Sequence, residues 1–213
     1  EDVAFPLKEL PEATADLQEL LVTNEYHDAC IYGHALEGNF HFIISQSFDS
    51  PEQVARYEKL MDEVKTLVVD KYDGSLKAEH GTGRNMAPFV KYEWGERAYG
   101  FMKAVKELFD PKGLLNPGVI FNEDPHCHLK HFKPMPLTNA HVDKCIECGF
   151  CEVNCLTCGF SLSSRQRIVI QREISRLKKL SDTESSERLK TLQKQYKYLG
   201  NATCAGDGLC SMS

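Results

Sequence analysis

No stretch of about 18 or more apolar residues occurs in the 213-residue chain, which leaves no candidate for a membrane-spanning helix. Positive charge is also short: 25 Lys and Arg stand against 31 Asp and Glu, a net charge of −6. That balance excludes a globally basic field of the kind that holds nucleic acid. Internal repeats and low-complexity tracts are missing. There is no charged-then-apolar leader after Glu1, and an opening of EDVAFP is expected to be the start of a fragment. No glycine-rich phosphate loop is found; GTGR at Gly81–Arg84 is too short to be one. Cysteine is nearly absent from the first half, where Cys30 stands alone before residue 120.

The second half is the reverse. Eight of the nine cysteines lie between Cys127 and Cys210. Cys145, Cys148 and Cys151 are each separated by two residues, Cys155 follows after three more, and Cys204 and Cys210 close the chain. Tight CxxC clustering in a chain without secretory features favours a metal or cluster over a disulfide framework, and a reducing compartment. A four-thiolate zinc site usually takes two separated CxxC pairs. Three cysteines in CxxCxxC spacing with a fourth three residues on fit an iron–sulfur cluster better. Cys158 is extra and reads as a spare ligand or, in preference, a buried thiol.

Hydrophobic periodicity divides the chain into elements. Residues 11–24 form a predicted helix with Leu17, Leu20 and Leu21 as its apolar stripe. Residues 27–34 and 39–46 read as strands around a turn at Gly38. Ser50 and Pro51 suit a helix cap and first position, and Val54, Tyr57, Met61, Val64 and Val68 mark its buried face. A short strand is expected over 75–80 and a helix over 92–109, ending at Asp110-Pro111-Lys112-Gly113. The order suggests α+β, helices covering an antiparallel sheet. Proline and histidine without periodicity then suggest a linker, and two helices, over 163–180 (Ile168, Ile174 and Leu177 inward) and 184–199, separate the cysteine groups. The expected domains are 1–123, a linker at 124–140, and a small all-α domain at 141–213.

A second constellation lies far upstream. GHALEGNFH places His34 and His41 on either side of a glycine-containing turn, and AEHGTGR brings Glu79 and His80 on the next predicted strand. Two imidazoles and a carboxylate leave open coordination positions, an arrangement that suits catalytic zinc, manganese or iron(II). The same residues could equally be hydrogen-bonded structural groups.

EDVAFP, GHALEGNFH, EHGTGR, the EWG segment and DPKGLLNPG, in this order over about residues 1–121, resemble the C-terminal domain of FAD-linked oxidases. That family includes glycolate oxidases, D-lactate dehydrogenases and D-2-hydroxyglutarate dehydrogenases. Glu37 stands where the family usually has Asp, and Thr82 where it has Ile. The resemblance implies that His34, His41 and Glu79 bind a divalent metal. It also implies that His80 acts at substrate and flavin as general base, and that Asn39 lines the same site. FAD would be bound mainly by a domain upstream of Glu1, so the chain alone is expected to be inactive.

The cysteine region resembles the α-helical ferredoxin domains of succinate dehydrogenase iron–sulfur subunits. By that likeness Cys145, Cys148 and Cys151 would hold one cluster, and Cys155, Cys204 and Cys210 a second. Leu156 replaces the usual Pro, and the chain ends one residue before the family's last cysteine. Together the resemblances imply oxidation of a small D-2-hydroxy acid, with electrons passing through iron–sulfur clusters to an acceptor protein or quinone system. The implied location is the cytoplasm, or the periphery of the membrane's inner face. The alternatives are an iron–sulfur electron-transfer module without an active metal site, and a zinc-stabilised interaction domain.

Overall fold

In the computed structural model, which describes residues 1–133 and 135–212, the chain forms two compact units, Glu1–Lys133 and Pro134–Ser213. Pro134 in the expected linker and Ser213 at the end of the expected second domain lie outside the described residues.

In the first unit, β1 (Asp2–Ala4), β2 (Cys30–His34) and β3 (Asn39–Ile43) pair antiparallel in the order β1-β3-β2. Side chains alternate across a strand, and directly paired residues share a face. Val3 pairs with Phe40 and Ile31 with Phe42, and these four turn to the core. They meet Leu17 and Leu21 of α1 (Leu10–Thr23) and Tyr57, Leu60, Met61 and Val64 of α2 (Pro51–Lys65). The Ser50 hydroxyl accepts the Gln53 N–H at the start of α2, as its position before Pro51 requires. Val54 is only half-buried, and Leu60 completes the inner face. At its far end α2 widens into a π-type turn over Thr66–Lys71 that buries Val68.

Two expectations need correction. Residues 75–80 are not a strand: Ser75 makes a single bridge to Ala4, and the following amides are taken by side chains. Glu93 accepts the Leu76 N–H, and Asp2 accepts those of Glu79 and His80. The third strand of the sheet is instead the N-terminal segment, β1, for which periodicity gave no expectation. The last helix of this unit, α3 (Ala87–Phe109), also begins earlier than residue 92, with Pro88 in its first turn and a break at Gly95 (φ 72°, ψ 167°).

Residues 124–133, expected to open the linker, pack on this same core. Leu129 and Phe132 join it, and Phe132 stacks on Phe48 with ring centroids 3.9 Å apart.

The second unit contains α4 (Ser164–Leu177) and α5 (Thr183–Tyr196), with no strand among its described residues. Ser163 and Gln166 form a capping box at the start of α4. Ile174 and Leu177 are buried as expected and Ile168 is half-buried, but Arg167 and Arg172 are buried beside them.

Candidate functional site

The face of the sheet opposite the helices is polar. Asp2, His41 and Tyr32 form one row across the three strands, and Ala4, Asn39 and His34 form the next. The chain turns between the two histidines through Ala35–Glu37 and Gly38, whose left-handed backbone (φ 67°) lies against the Phe5 carbonyl. An added Cβ at Gly38 would stand 2.2 Å from that oxygen, so only glycine closes the turn.

Glu79 reaches this face from the irregular segment that follows Ser75. Its Oε1 lies 3.1 Å from His41 Nε2 and 3.5 Å from His34 Nε2. One donor atom each from His34, His41 and Glu79 lies within 4.8 Å of the others. A tetrahedral ion with bonds of about 2.0–2.2 Å sets its donors roughly 3.3–3.6 Å apart, which is close to the two measured separations. The donor set of two imidazoles and one carboxylate is also of the right chemistry for zinc, manganese or iron. His41 is buried, and its Nδ1 has no hydrogen-bond partner; neither has the buried Oδ1 of Asn39. Unpaired buried polar atoms are uncommon and call for a ligand or water. By the spacing and chemistry of His34, His41 and Glu79, the residues present fit a divalent cation.

His80 stands beside this group. Its ring centroid is 4.6 Å from that of His41, its Nδ1 is 3.5 Å from Asp2 Oδ2, and its Nε2 is 3.5 Å from Glu79 Oε1. With 64% of its side chain exposed, it is open to an incoming molecule. Asp2, Asn39 and His41 are by contrast less than a tenth exposed. Burial alone would push the Asp2 carboxyl up. The Glu79 and His80 N–H bonds and the nearby charges of His80 and Lys77 outweigh it, and the group titrates below its ordinary value. The site lies on this open sheet face, apart from the groove lined by Thr23, Asn24, Arg56 and Lys59.

The five residues expected from the sequence, His34, Asn39, His41, Glu79 and His80, all come together here. Asp2 was not among them, although it stands in the EDVAFP segment that helps carry the family resemblance. A strand of three residues gives no periodic signal, so the pairing that brings Asp2 to His80 leaves no trace in the local sequence.

In the second unit the cysteines sit on short turns. Cys145, Cys151 and Cys155 are half-buried, and Cys148, Cys204 and Cys210 are exposed. Cys158, expected to be buried, is exposed as well. Its N–H closes a tight turn onto the Cys155 carbonyl, and that turn leaves the thiol outside. None of the cysteines forms a disulfide. The Ser164 hydroxyl donates to Cys151 Sγ at 2.9 Å, and Cys145 Sγ accepts the Glu147 N–H at 3.3 Å. Cys155 Sγ lies 3.4 Å from Thr157 Oγ1 and 4.0 Å from Arg167 Nη1. Burial raises that thiol's pKa, but the Thr157 and Ser164 bonds and the Arg167 charge outweigh it and hold it below the usual thiol range.

Arg167 also donates to the carbonyls of Leu162 and Gly200 and to Thr203 Oγ1, tying the segment before Cys204 to the loop after Cys155. The turn at Leu209–Met212, which contains Cys210, packs on the Phe150–Glu152 turn, which contains Cys151. Among the described residues no three thiols come within 4.8 Å of one another, the spacing a single ion needs. The polynuclear core of a cluster holds its thiolates farther apart than one ion does.

Residues 1–120 match the family of FAD linked oxidases, C-terminal domain. The chain is 33% identical over 124 residues to a D-2-hydroxyglutarate dehydrogenase of Stutzerimonas stutzeri, covering 56% of this chain and 26% of that protein. It is 27% identical over 124 residues to the glycolate oxidase subunit GlcD of Bacillus subtilis, covering 58% and 26%. To the mitochondrial D-lactate dehydrogenase (cytochrome) 1 of Saccharomyces cerevisiae it is 30% identical over 125 residues, covering 59% and 21%. The matched segment thus spans about a quarter of the length of these relatives. With more than half of its residues matched and the paired histidines, glutamate and flanking histidine gathered on one sheet face, the chain belongs to the FAD linked oxidases, whose C-terminal domain it carries.

Proposed function

We propose that this chain contributes the substrate and metal domain of an FAD-dependent dehydrogenase acting on a small D-2-hydroxy acid of the lactate, glycolate or 2-hydroxyglutarate class. The observation that carries the reading is the convergence of His34, His41 and Glu79 beside an exposed His80. A divalent cation held by these three residues would act as a Lewis acid on the substrate's 2-hydroxyl and carboxylate. FAD, bound chiefly by parts of the protein outside these 213 residues, would take up the two electrons and the C2 hydrogen.

The protein's own residues do the rest. His41 is fixed by its place in β3 and by burial, so one ligand is rigid before any ion arrives. His34 and Glu79 are more exposed and complete the set from the open side. His80 Nε2 faces the same centre and takes the proton from the substrate hydroxyl, a role for which imidazole is the usual choice. The Asn39 side chain supplies a buried polar contact to substrate or flavin from the neighbouring row.

The proposal extends to residues 141–213, within the second unit, as a helical iron–sulfur domain, with the linker confined to the part of the expected 124–140 segment that follows Lys133. Cys145, Cys148 and Cys151 hold one cluster, and Cys155, Cys204 and Cys210 the other, carrying electrons onward to an acceptor protein or quinone system. The soft thiolates and the CxxCxxCxxxC spacing support it, as do the Arg167 bonds that tie the segment before Cys204, and the packing that brings the Cys210 turn, back towards the first run. Under this reading the protein works in the cytoplasm or at the inner face of the membrane.

The test is elemental and acid-labile sulfide analysis of protein purified without oxygen, beside His34→Ala. Iron with matching sulfide in both samples, and an equivalent of zinc, manganese or further iron lost only from the variant, supports both halves. Iron and sulfide with no metal dependent on His34 reduces the chain to an electron-transfer module. Zinc without sulfide removes the cluster assignment.

A further inference from the structure

We propose that Asp2 is a positioning residue that holds Glu79 and His80 in place over the sheet and so sets the geometry of the metal site. The inference rests on the metal-site reading given above. One carboxylate oxygen, Asp2 Oδ2, accepts the N–H of Glu79 at 2.6 Å and that of His80 at 3.0 Å. The same oxygen lies 3.5 Å from His80 Nδ1. The proposed acidic ligand and the proposed base are consecutive residues, and both are anchored by one side chain, 77 and 78 positions away in sequence.

Such an anchor is needed because residues 76–80 have no strand partner beyond the single bridge at Ser75. Without Asp2 the amides of Glu79 and His80 lose their acceptor, and the segment is free to leave the sheet. Asp2 itself cannot move with it. It pairs with His41 in the β1–β3 ladder, the next residue Val3 is fully buried, and the Phe42 N–H donates to the Glu1 carbonyl on its other side. The carboxylate is 7% exposed, so its bonds to the two amides are made away from competing water.

The contact with His80 adds orientation. With Nδ1 turned to Asp2, the ring presents Nε2 to the Glu79 carboxylate and the open centre. Outer-shell groups of this kind commonly fix the ring and ligand orientations of a metal centre. A carboxylate is the better anchor than a neutral acceptor because charge-assisted bonds are about twice as strong.

Cobalt(II) is a suitable probe, since its visible absorption reports both binding and coordination geometry without turnover. Wild type, His34→Ala, Asp2→Ala and Asp2→Asn are titrated with Co2+, and amide hydrogen exchange is followed at Glu79 and His80. Asp2→Ala is expected to weaken Co2+ binding about 10–100-fold. It should also shift the absorption bands and speed exchange of both amides. Asp2→Asn keeps an acceptor of the same shape, so its loss of affinity falls between the two and its amides stay partly protected. Wild-type affinity and spectrum in Asp2→Ala, or in Asp2→Asn should the alanine variant not fold, overturn the inference alone. Equal Co2+ uptake by wild type and His34→Ala instead sinks the metal reading, and the inference with it.

Discussion

Arg172 of α4 and Glu147 of the CIEC loop form an ion pair at 2.7 Å with each side chain only 5% exposed. The same guanidinium donates to the Cys145 carbonyl at 2.7 Å and the Val142 carbonyl at 3.4 Å. One buried cation on a helix therefore fastens both the backbone and a side chain of the first cysteine loop.

Removing one partner of such a buried pair costs about 3–5 kcal/mol. Arg172→Ala is accordingly expected to unfold the second unit at markedly lower denaturant, and Glu147→Ala to do nearly the same. An Arg172→Met, Glu147→Leu double variant removes both charges and should recover much of the loss. Chemical denaturation followed by far-UV circular dichroism checks the order: two destabilised single variants and a more stable double variant.

The turn after α3 depends on pH through one carboxylate. Asp110 accepts from Lys106 Nζ and from the N–H groups of Leu115 and Leu114, both at 2.9 Å, which together lower its pKa to about 2 from 3.8. Lys106 holds the far side of the turn through the Leu115 carbonyl. A folded-state value below the unfolded one gives stability that is fully present above 3.8 and disappears as pH falls through about 2. Between about pH 4 and 2 the Leu114 and Leu115 amides should therefore lose exchange protection, in the range where a carboxyl resonance of Asp110 titrates. In Asp110→Asn that pH dependence should vanish.

Much of this was legible in the sequence, and what was not has physical causes. The helices of the first unit follow from apolar residues at spacings of three and four and from the Ser50-Pro51 start, because those signals are local. His34 and His41 were legible because motif spacing survives as strand register, two rungs apart on paired strands. Glu79 and His80 showed as an acid–histidine pair in the sequence, and Asn39 and the role of His80 came only with the family resemblance. Asp2 and β1 were not legible, since three residues are too few for a periodic signal and their partner lies 39 positions on. Residues 75–80 look like a strand because they alternate, yet their amides are answered by Asp2 and Glu93 side chains, a long-range arrangement that alternation does not report. Arg167 and Arg172 were invisible for a related reason. A charged side chain on a helix reads as its wet face until a carbonyl or carboxylate distant in sequence is found to meet it.

The two histidines proposed as ligands should differ in what they do without metal. His34 is 60% exposed by side chain, and His41 is buried against Tyr32 and His80, with ring centroids 5.2 and 4.6 Å away. His34→Ala is expected to abolish metal uptake while changing the metal-free stability by less than about 0.5 kcal/mol. His41→Ala should abolish uptake too, but also lower metal-free stability by about 1–3 kcal/mol through the lost buried packing. Denaturant titration of metal-stripped protein separates the two, and equal stabilities would mean that His41 is held less firmly than its burial indicates.

Gly33 sets how closely β2 and β3 approach between the two proposed ligands, His34 and His41. It pairs with Phe40, and a Cβ there would stand 2.2 Å from the Asn39 carbonyl oxygen and 2.9 Å from the Phe40 Cα. Both are backbone atoms of β3 and cannot rotate aside. Gly33→Ala must therefore push the strands apart at the rung between His34 and His41, at a cost of about 1–3 kcal/mol typical of an overpacked site. The separation should also weaken metal binding, because His34 moves with β2 while His41 stays with β3. Gly100→Ala is the control of opposite sign: it lies in α3 with no atom within 4 Å of the new Cβ, and should add roughly 0.5–1 kcal/mol. Thermal unfolding of both variants, with Co2+ titration of the first, decides the matter. A Gly33→Ala protein with wild-type stability and wild-type metal affinity would mean that the hairpin opens without disturbing the ligands.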